Sequence, residues 1–201
     1  MSDHEFHPFQ FRSPLLMNRD DSALVIIDVQ EKLLPAIAGQ DRIVWNIGRL
    51  IQAAIALDVR IAATEQYPKG LGQTVPSLLG KLHDTIGPVI PDKTMFSCRE
   101  CIDTFEELAK SGIRNLLVTG IETHVCVAQS ALDFLSSGFN VYVCVDAVGS
   151  RSPLDHRVGI RRMESSGVLP TTTEAAMFEW CEKAGSDEFK TISKIVQQQS
   201  P

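Results

Sequence analysis

Cys126 closes the stretch Gly120-Ile121-Glu122-Thr123-His124-Val125-Cys126, which reads as the turn from a buried strand into a helix. A thiol in the first turn of a helix meets the positive end of the helix dipole and free backbone donors, and both favour the nucleophilic thiolate. Asp28 stands near the carboxyl end of the apolar run Ala23 to Val29, where a carboxylate without a partner would cost heavily. Lys93, in Ile90-Pro91-Asp92-Lys93-Thr94-Met95-Phe96-Ser97, is the third candidate. Brought together, such groups could do covalent hydrolysis: the acid takes the thiol proton, the thiolate attacks, and the cation steadies the negative charge. Taken singly, each has a plainer reading. Asp28 would serve as a cap or ion-pair acid, Cys126 as a small buried hydrophobe and Lys93 as a surface lysine. Spacing alone does not bring the three together.

The elements around them alternate. Ala23 to Val29 is a continuous β-branched run, as in a strand buried on both faces of a parallel sheet. Asp41 to Asp58 places Ile43, Ile47, Leu50, Ile51, Ala54 and Ile55 at helical spacing, and Val59 to Thr64 reads as a second strand. From Glu65 to Thr94 glycines and prolines predict a long loop with at most a short strand at Val89-Ile90. Helix from about Cys101 to Lys110, strand over Asn115 to Gly120, helix over Thr123 to Leu135, strand over Asn140 to Val145, and helices at Pro153 to Ser166 and Thr173 to Lys183 follow. This pattern predicts an α/β fold of three α/β/α layers, doubly wound on a mainly parallel sheet. In such sheets ligands sit outside the carboxyl ends of the strands, where Asp28 and Cys126 fall. The expected division is an N-terminal extension over 1–20, one domain over 21–186, and a peripheral helix and tail over 187–201.

The 201 residues are 44% hydrophobic and 22% charged, with a net charge of -6. That charge offers no broad footprint for nucleic acid or an anionic membrane and favours a small-molecule partner. No apolar run reaches the roughly 18 residues of a membrane span, and the first 21 residues lack the apolar core of a secretion signal. Five cysteines, an odd number, predict free thiols in a reducing compartment, so the expected location is cytoplasmic.

Asp28-Val29-Gln30 after an apolar strand, Lys93 with Phe96-Ser97 beyond it, and Gly120-Ile121-Glu122-Thr123 leading to Cys126-Val127 resemble the ordered signature of isochorismatase-like hydrolases from about Ala23 to about Lys183. The resemblance implies a Rossmann-like fold, an Asp28–Lys93–Cys126 triad, a cis peptide between Ile121 and Glu122, and an oxyanion hole from the Glu122 and Cys126 backbone N–H groups. It also implies a homo-oligomer, with Gln66, Tyr67 and Phe96 lining the substrate pocket.

Nicotinamidase-like members carry an Asp-x-His metal motif where this chain reads Thr64-Glu65-Gln66-Tyr67-Pro68, so neither a metal nor an organic cofactor is expected. Isochorismatases proper cleave a vinyl ether without a nucleophilic cysteine, and Cys126 argues against that activity. The expectation is therefore hydrolysis of a small C–N bond of amide or ureido type. The alternatives are a vinyl-ether hydrolase, or a catalytically idle interaction protein on the same fold. Cys98-Arg99-Glu100-Cys101 is a CxxC, but no second ligand pair accompanies it, which leaves two incidental thiols as the simpler reading.

Overall fold

The computed structural model describes residues 12–201. The segment 1–11, most of the expected N-terminal extension, lies outside the described residues.

Strand β1 (Ser22–Ile27) is the centre of construction. Its side chains alternate between two cores. Leu24 and Ile26 face one, with residues of helices α1 (Gln40–Ala56), α3 (Pro76–Ile86), α7 (Thr173–Cys181) and α8 (Asp187–Val196). Ala23, Val25 and Ile27 face the other, with residues of α4 (Ile102–Lys110), α5 (Ala128–Ser136) and α6 (Pro153–Ser165). A strand burying both faces is apolar throughout, which is why Ala23 to Ile27 carries no polar alternation.

The remaining strands are β2 (Arg60–Gln66), β3 (Asp92–Lys93), β4 (Asn115–Ile121), β5 (Asn140–Gly149) and β6 (Leu169–Thr171). They pair in the order β3-β2-β1-β4-β5-β6, all parallel. The fold is the expected three-layer α/β/α sandwich. The chain winds outward from β1 through β2 to β3, then returns to lay β4 on the other side of β1. The sheet therefore switches direction between β1 and β4, the position at which open α/β sheets bind ligands.

Three local expectations are corrected. The segment expected as a long loop contains the short helix α2 (Pro68–Leu71) as well as α3. Both open on a proline, which suits the first helical position, and α3 is pinned to the core by Leu78 and Leu82 one turn apart. Gly80 breaks nothing because it faces open space. The short strand lies at Asp92–Lys93 rather than Val89-Ile90, since Val89 is exposed. Finally, the helix expected from Thr123 begins as a π-helical turn, Thr123–Val127, before α5. The tail beyond Ser186 forms α8, whose Ile192 and Ile195 are buried in the first core.

Candidate active site

Asp28 is the first residue beyond β1 and sits in the left-handed region at φ 54, a conformation that aspartate tolerates better than most residues. Its amide donates to Thr64 O (3.1 Å) and its carbonyl accepts from Gln30 N (2.9 Å), so the backbone turns sharply here. The side chain is fully buried. Oδ1 accepts from the Thr64 hydroxyl (2.9 Å), and Oδ2 accepts from Lys93 Nζ (2.6 Å).

Lys93 lies on β3, two strands from β1 and so about 10 Å away. Only a long side chain spans that gap. It reaches across β2, and Nζ becomes as buried as the carboxylate it meets. Four acceptors surround the ammonium: Asp28 Oδ2, Gln66 Oε1 (2.8 Å), Phe96 O (3.0 Å) and Met95 O (3.3 Å). Three N–H bonds are thereby consumed inside the protein, leaving Lys93 as a source of charge rather than a hand for a ligand.

Cys126 lies in the π-helical turn that leaves β4, on the other side of the switch point, with its thiol near enough to the Asp28 carboxylate for that charge to act on it. The turn begins at Glu122, whose carbonyl accepts from both Val125 N (3.0 Å) and Val127 N (3.2 Å). The Ile121–Glu122 peptide is cis. Gly120 lets the strand end this way: at φ 112 it passes so close to Ile27 that a Cβ would collide with the Ile27 backbone. β1 and β4 thus approach tightly at the point where Asp28 and Cys126 project.

The electrostatics differ from those of a bare helix terminus. Burial, followed by the neighbouring Asp28 charge, raises the Cys126 thiol pKa, outweighing Lys93. Burial thus works against the helix-start effect on the thiol, which gives Asp28 the task of taking the proton as the sulfur attacks. Burial also raises Asp28, against the pull of Lys93. Burial would lower Lys93, but Asp28 and Cys126 together hold it above the ordinary lysine value. A base of raised pKa beside a thiol is well matched to accept its proton during attack.

The three candidate pocket residues divide. Gln66 is buried and spent on Lys93 and on Thr94 O (2.8 Å), so it holds the ammonium rather than walling open space. Tyr67 and Phe96 are each 53% exposed and lie at the surface edge of the site, tied to Lys93 through their backbones. Two surface grooves, one beside Arg60 and Thr85 and one beside Phe105 and Phe139, include none of Asp28, Lys93 and Cys126.

Several supports carried no sequence signal of their own. Gln30 accepts from Gln66 N (2.7 Å) and donates to Gln66 O (3.0 Å) and Gly72 O (2.6 Å). Glu65 accepts from Thr74 N and Oγ1. Glu65 and Gln66 stand at the place of the metal motif, and their side chains are spent on Thr74, Thr94 and Lys93. Among the described residues no group of three or more His, Cys, Asp or Glu is arranged to hold a metal ion. The residues present do not fit a zinc site. The five cysteines are free and buried, and burial pushes Cys98 up to about 12 and Cys101 up to about 11, the reverse of a redox-active CxxC.

Comparison with known proteins shows which family has this fold. Mouse isochorismatase domain-containing protein 2A is 40% identical over 183 residues, covering 90% of this chain and 85% of that protein. The solved structure of MAR1 ribonuclease from Caenorhabditis elegans superposes with a TM-score of 0.85 at 40% identity, covering 92% of this chain and 94% of that one. The YcaC gene product from Escherichia coli, an octameric hydrolase of unknown specificity, shares the fold at a TM-score of 0.83 and 23% identity, over 92% and 91% of the two chains. The isochorismatase domain model matches residues 22–175, from the first residue of β1 into α7, a span that includes Asp28, Lys93 and Cys126. A parallel sheet with this switch point, matched along its length at such identity, places the chain in the isochorismatase family of hydrolases.

Proposed function

We propose that the protein hydrolyses a small C–N bond of amide or ureido type through a covalent intermediate on Cys126, with Asp28 as acid and base and Lys93 as the fixed charge. One observation carries the reading. The buried Asp28 carboxylate is held by Lys93 at 2.6 Å on one side, and the buried Cys126 thiol lies near enough on the other for the two groups to act on each other. As the Sγ–C bond forms, the thiol proton passes to Asp28, and the carbonyl oxygen takes the negative charge. The Glu122 and Cys126 backbone N–H groups receive that oxygen. Collapse breaks the C–N bond, with Asp28 returning the proton to the leaving nitrogen. Water then attacks the thioester, gives one proton to Asp28, and releases the acid and the free thiol.

The charge inventory favours an uncharged substrate. Lys93 has every N–H committed, and Arg151 is balanced by Glu122 at 3.1 Å. A dianionic vinyl ether would find no uncommitted buried cation at the triad. The ribonuclease name of the nematode relative brings a polyanion to mind, and the same inventory with the net charge of -6 weighs against it here. We further propose a homo-oligomer. Tyr67, Met95 and Phe96 expose apolar surface beside the site, as a contact with a second copy would use, and the bacterial structure of the same fold is an octamer.

The test is a panel of small neutral amides, ureido compounds and activated esters with the wild type and Cys126→Ala. Turnover by the wild type, abolished by Cys126→Ala and by iodoacetamide labelling at that position, supports the proposal. Normal turnover by Cys126→Ala sinks it.

A further inference from the structure

Three consecutive side chains of the turn before Cys126 are tied to the segment after β5. The Glu122 carboxylate accepts from Arg151 N (2.9 Å) and, in a fork, from Arg151 Nε (3.1 and 3.2 Å). Thr123 Oγ1 bonds His156 Nδ1 (3.0 Å), and His124 Nδ1 bonds Ser150 Oγ (3.0 Å). The segment can come this near because α6 presents Gly159 to the turn; a Cβ there would stand 3.0 Å from His124 Cα. Thr123 is fully buried and Glu122 nearly so, whereas the Arg151 side chain is 67% exposed.

Arg151, mostly in water, gains little from the pair, whereas the near-buried Glu122 carboxylate needs a partner, so the contact has a structural side. Its geometry is specific, however. Glu122 supplies three things at once: a carbonyl that caps the Cys126 turn twice, a carboxylate fixed by Arg151, and the amide assigned above to the oxyanion. Fixing the carboxylate from both the backbone and the side chain of Arg151 fixes the orientation of the residue that carries that amide.

We propose that Arg151 is a positioning residue for carbonyl addition, acting through Glu122 to aim the oxyanion donor rather than by touching substrate or delivering the thiol. The inference rests on the hydrolase reading above, and two probes of Cys126 separate the two. Alkylation by iodoacetamide needs the thiol and its base but develops no oxyanion. Acylation by p-nitrophenyl acetate needs both.

The experiment compares wild type, Arg151→Met and Arg151→Lys, following the p-nitrophenolate burst and, by peptide mass spectrometry, iodoacetamide labelling at Cys126. Arg151→Met is expected to slow acylation about 10- to 100-fold while alkylation changes less than about twofold. Arg151→Lys, which keeps the charge but not the fixed planar Nε donor, is expected to fall between. In a Glu122→Gln background the Arg151→Met effect is expected to shrink to less than about twofold, because the residue it acts through is already released. Unchanged acylation in Arg151→Met overturns the inference, as does an equal loss of acylation and alkylation, which would mean general disruption of the turn. A wild type that is never acylated at Cys126 overturns the hydrolase reading itself, and this inference with it.

Discussion

Burying an ammonium and a carboxylate strips water from both, and their attraction repays this only where the geometry is good and the remaining valences are filled. At Lys93 and Asp28 those conditions are met by Thr64, Gln66 and two backbone carbonyls. Removing one partner leaves the other charge stranded, so Lys93→Met is expected to cost about 3 to 5 kcal/mol in urea unfolding, with much of the loss recovered by Asp28→Asn/Lys93→Met. Equal stability of Lys93→Met and wild type would contradict the buried pair. The same pair sets the pH response. Burial raises Asp28 above 3.8, so its base form appears only as pH climbs through that raised value, and the acid limb of kcat/KM should lie above 3.8. Lys93 is raised above 10.5, so loss of its charge cannot produce an alkaline limb below that. A profile falling between pH 7 and 9 would contradict these directions. At this scale the sequence was partly legible. Asp28 and Cys126 had signals in their strand-end and helix-start positions. Lys93 had none beyond resemblance, because nothing local tells a lysine that crosses a neighbouring strand from one in solvent. Arg151 and Gln30 act through tertiary bonds, which leave no local pattern. The helix-start argument for Cys126 took no account of burial, which raises the thiol and is invisible in sequence.

Elements position these residues by how closely they approach. β1 and β4 meet at Gly120, where a side chain would strike Ile27 and φ is 112. Gly120→Ala is therefore expected to cost at least about 3 kcal/mol and to displace Asp28 from Cys126, abolishing turnover even where the protein folds. Full activity at unchanged Tm would show that the approach matters less than the geometry indicates. The strands were readable because burial on both faces leaves continuous apolar runs, as in Ala23 to Ile27. α2 and α3 were not. Pro68, Gly70, Pro76 and Gly80 are loop residues by composition, and only the placement of Pro68 and Pro76 at first helical positions, with Leu78 and Leu82 packed inward, makes that stretch helical.

For the whole molecule, the layers form one continuous core on each side of the sheet, and α8 belongs to the first. Ile192 is fully buried there with Trp180. Ile192→Ala is expected to lower stability by about 2 to 5 kcal/mol while leaving the triad in place, a result that would set α8 within the folding unit rather than outside it. A loss under about 0.5 kcal/mol would make the helix an appendage. Among the described residues no helix is long and apolar enough to cross a membrane. Light scattering is expected to return a multiple of 22.1 kDa, given the apolar rim of Tyr67, Met95 and Phe96. A monomer at all concentrations would contradict the proposed assembly.

The account turns on a covalent bond to one sulfur. Rapid acid quench of the protein with an activated ester or reactive amide, followed by peptide mass spectrometry, measures it directly. The predicted result is an acyl adduct on Cys126 that forms and decays with turnover and is missing in Cys126→Ser and Asp28→Asn. Turnover by the wild type with no adduct at Cys126, or with activity retained in Cys126→Ser, would contradict the mechanism.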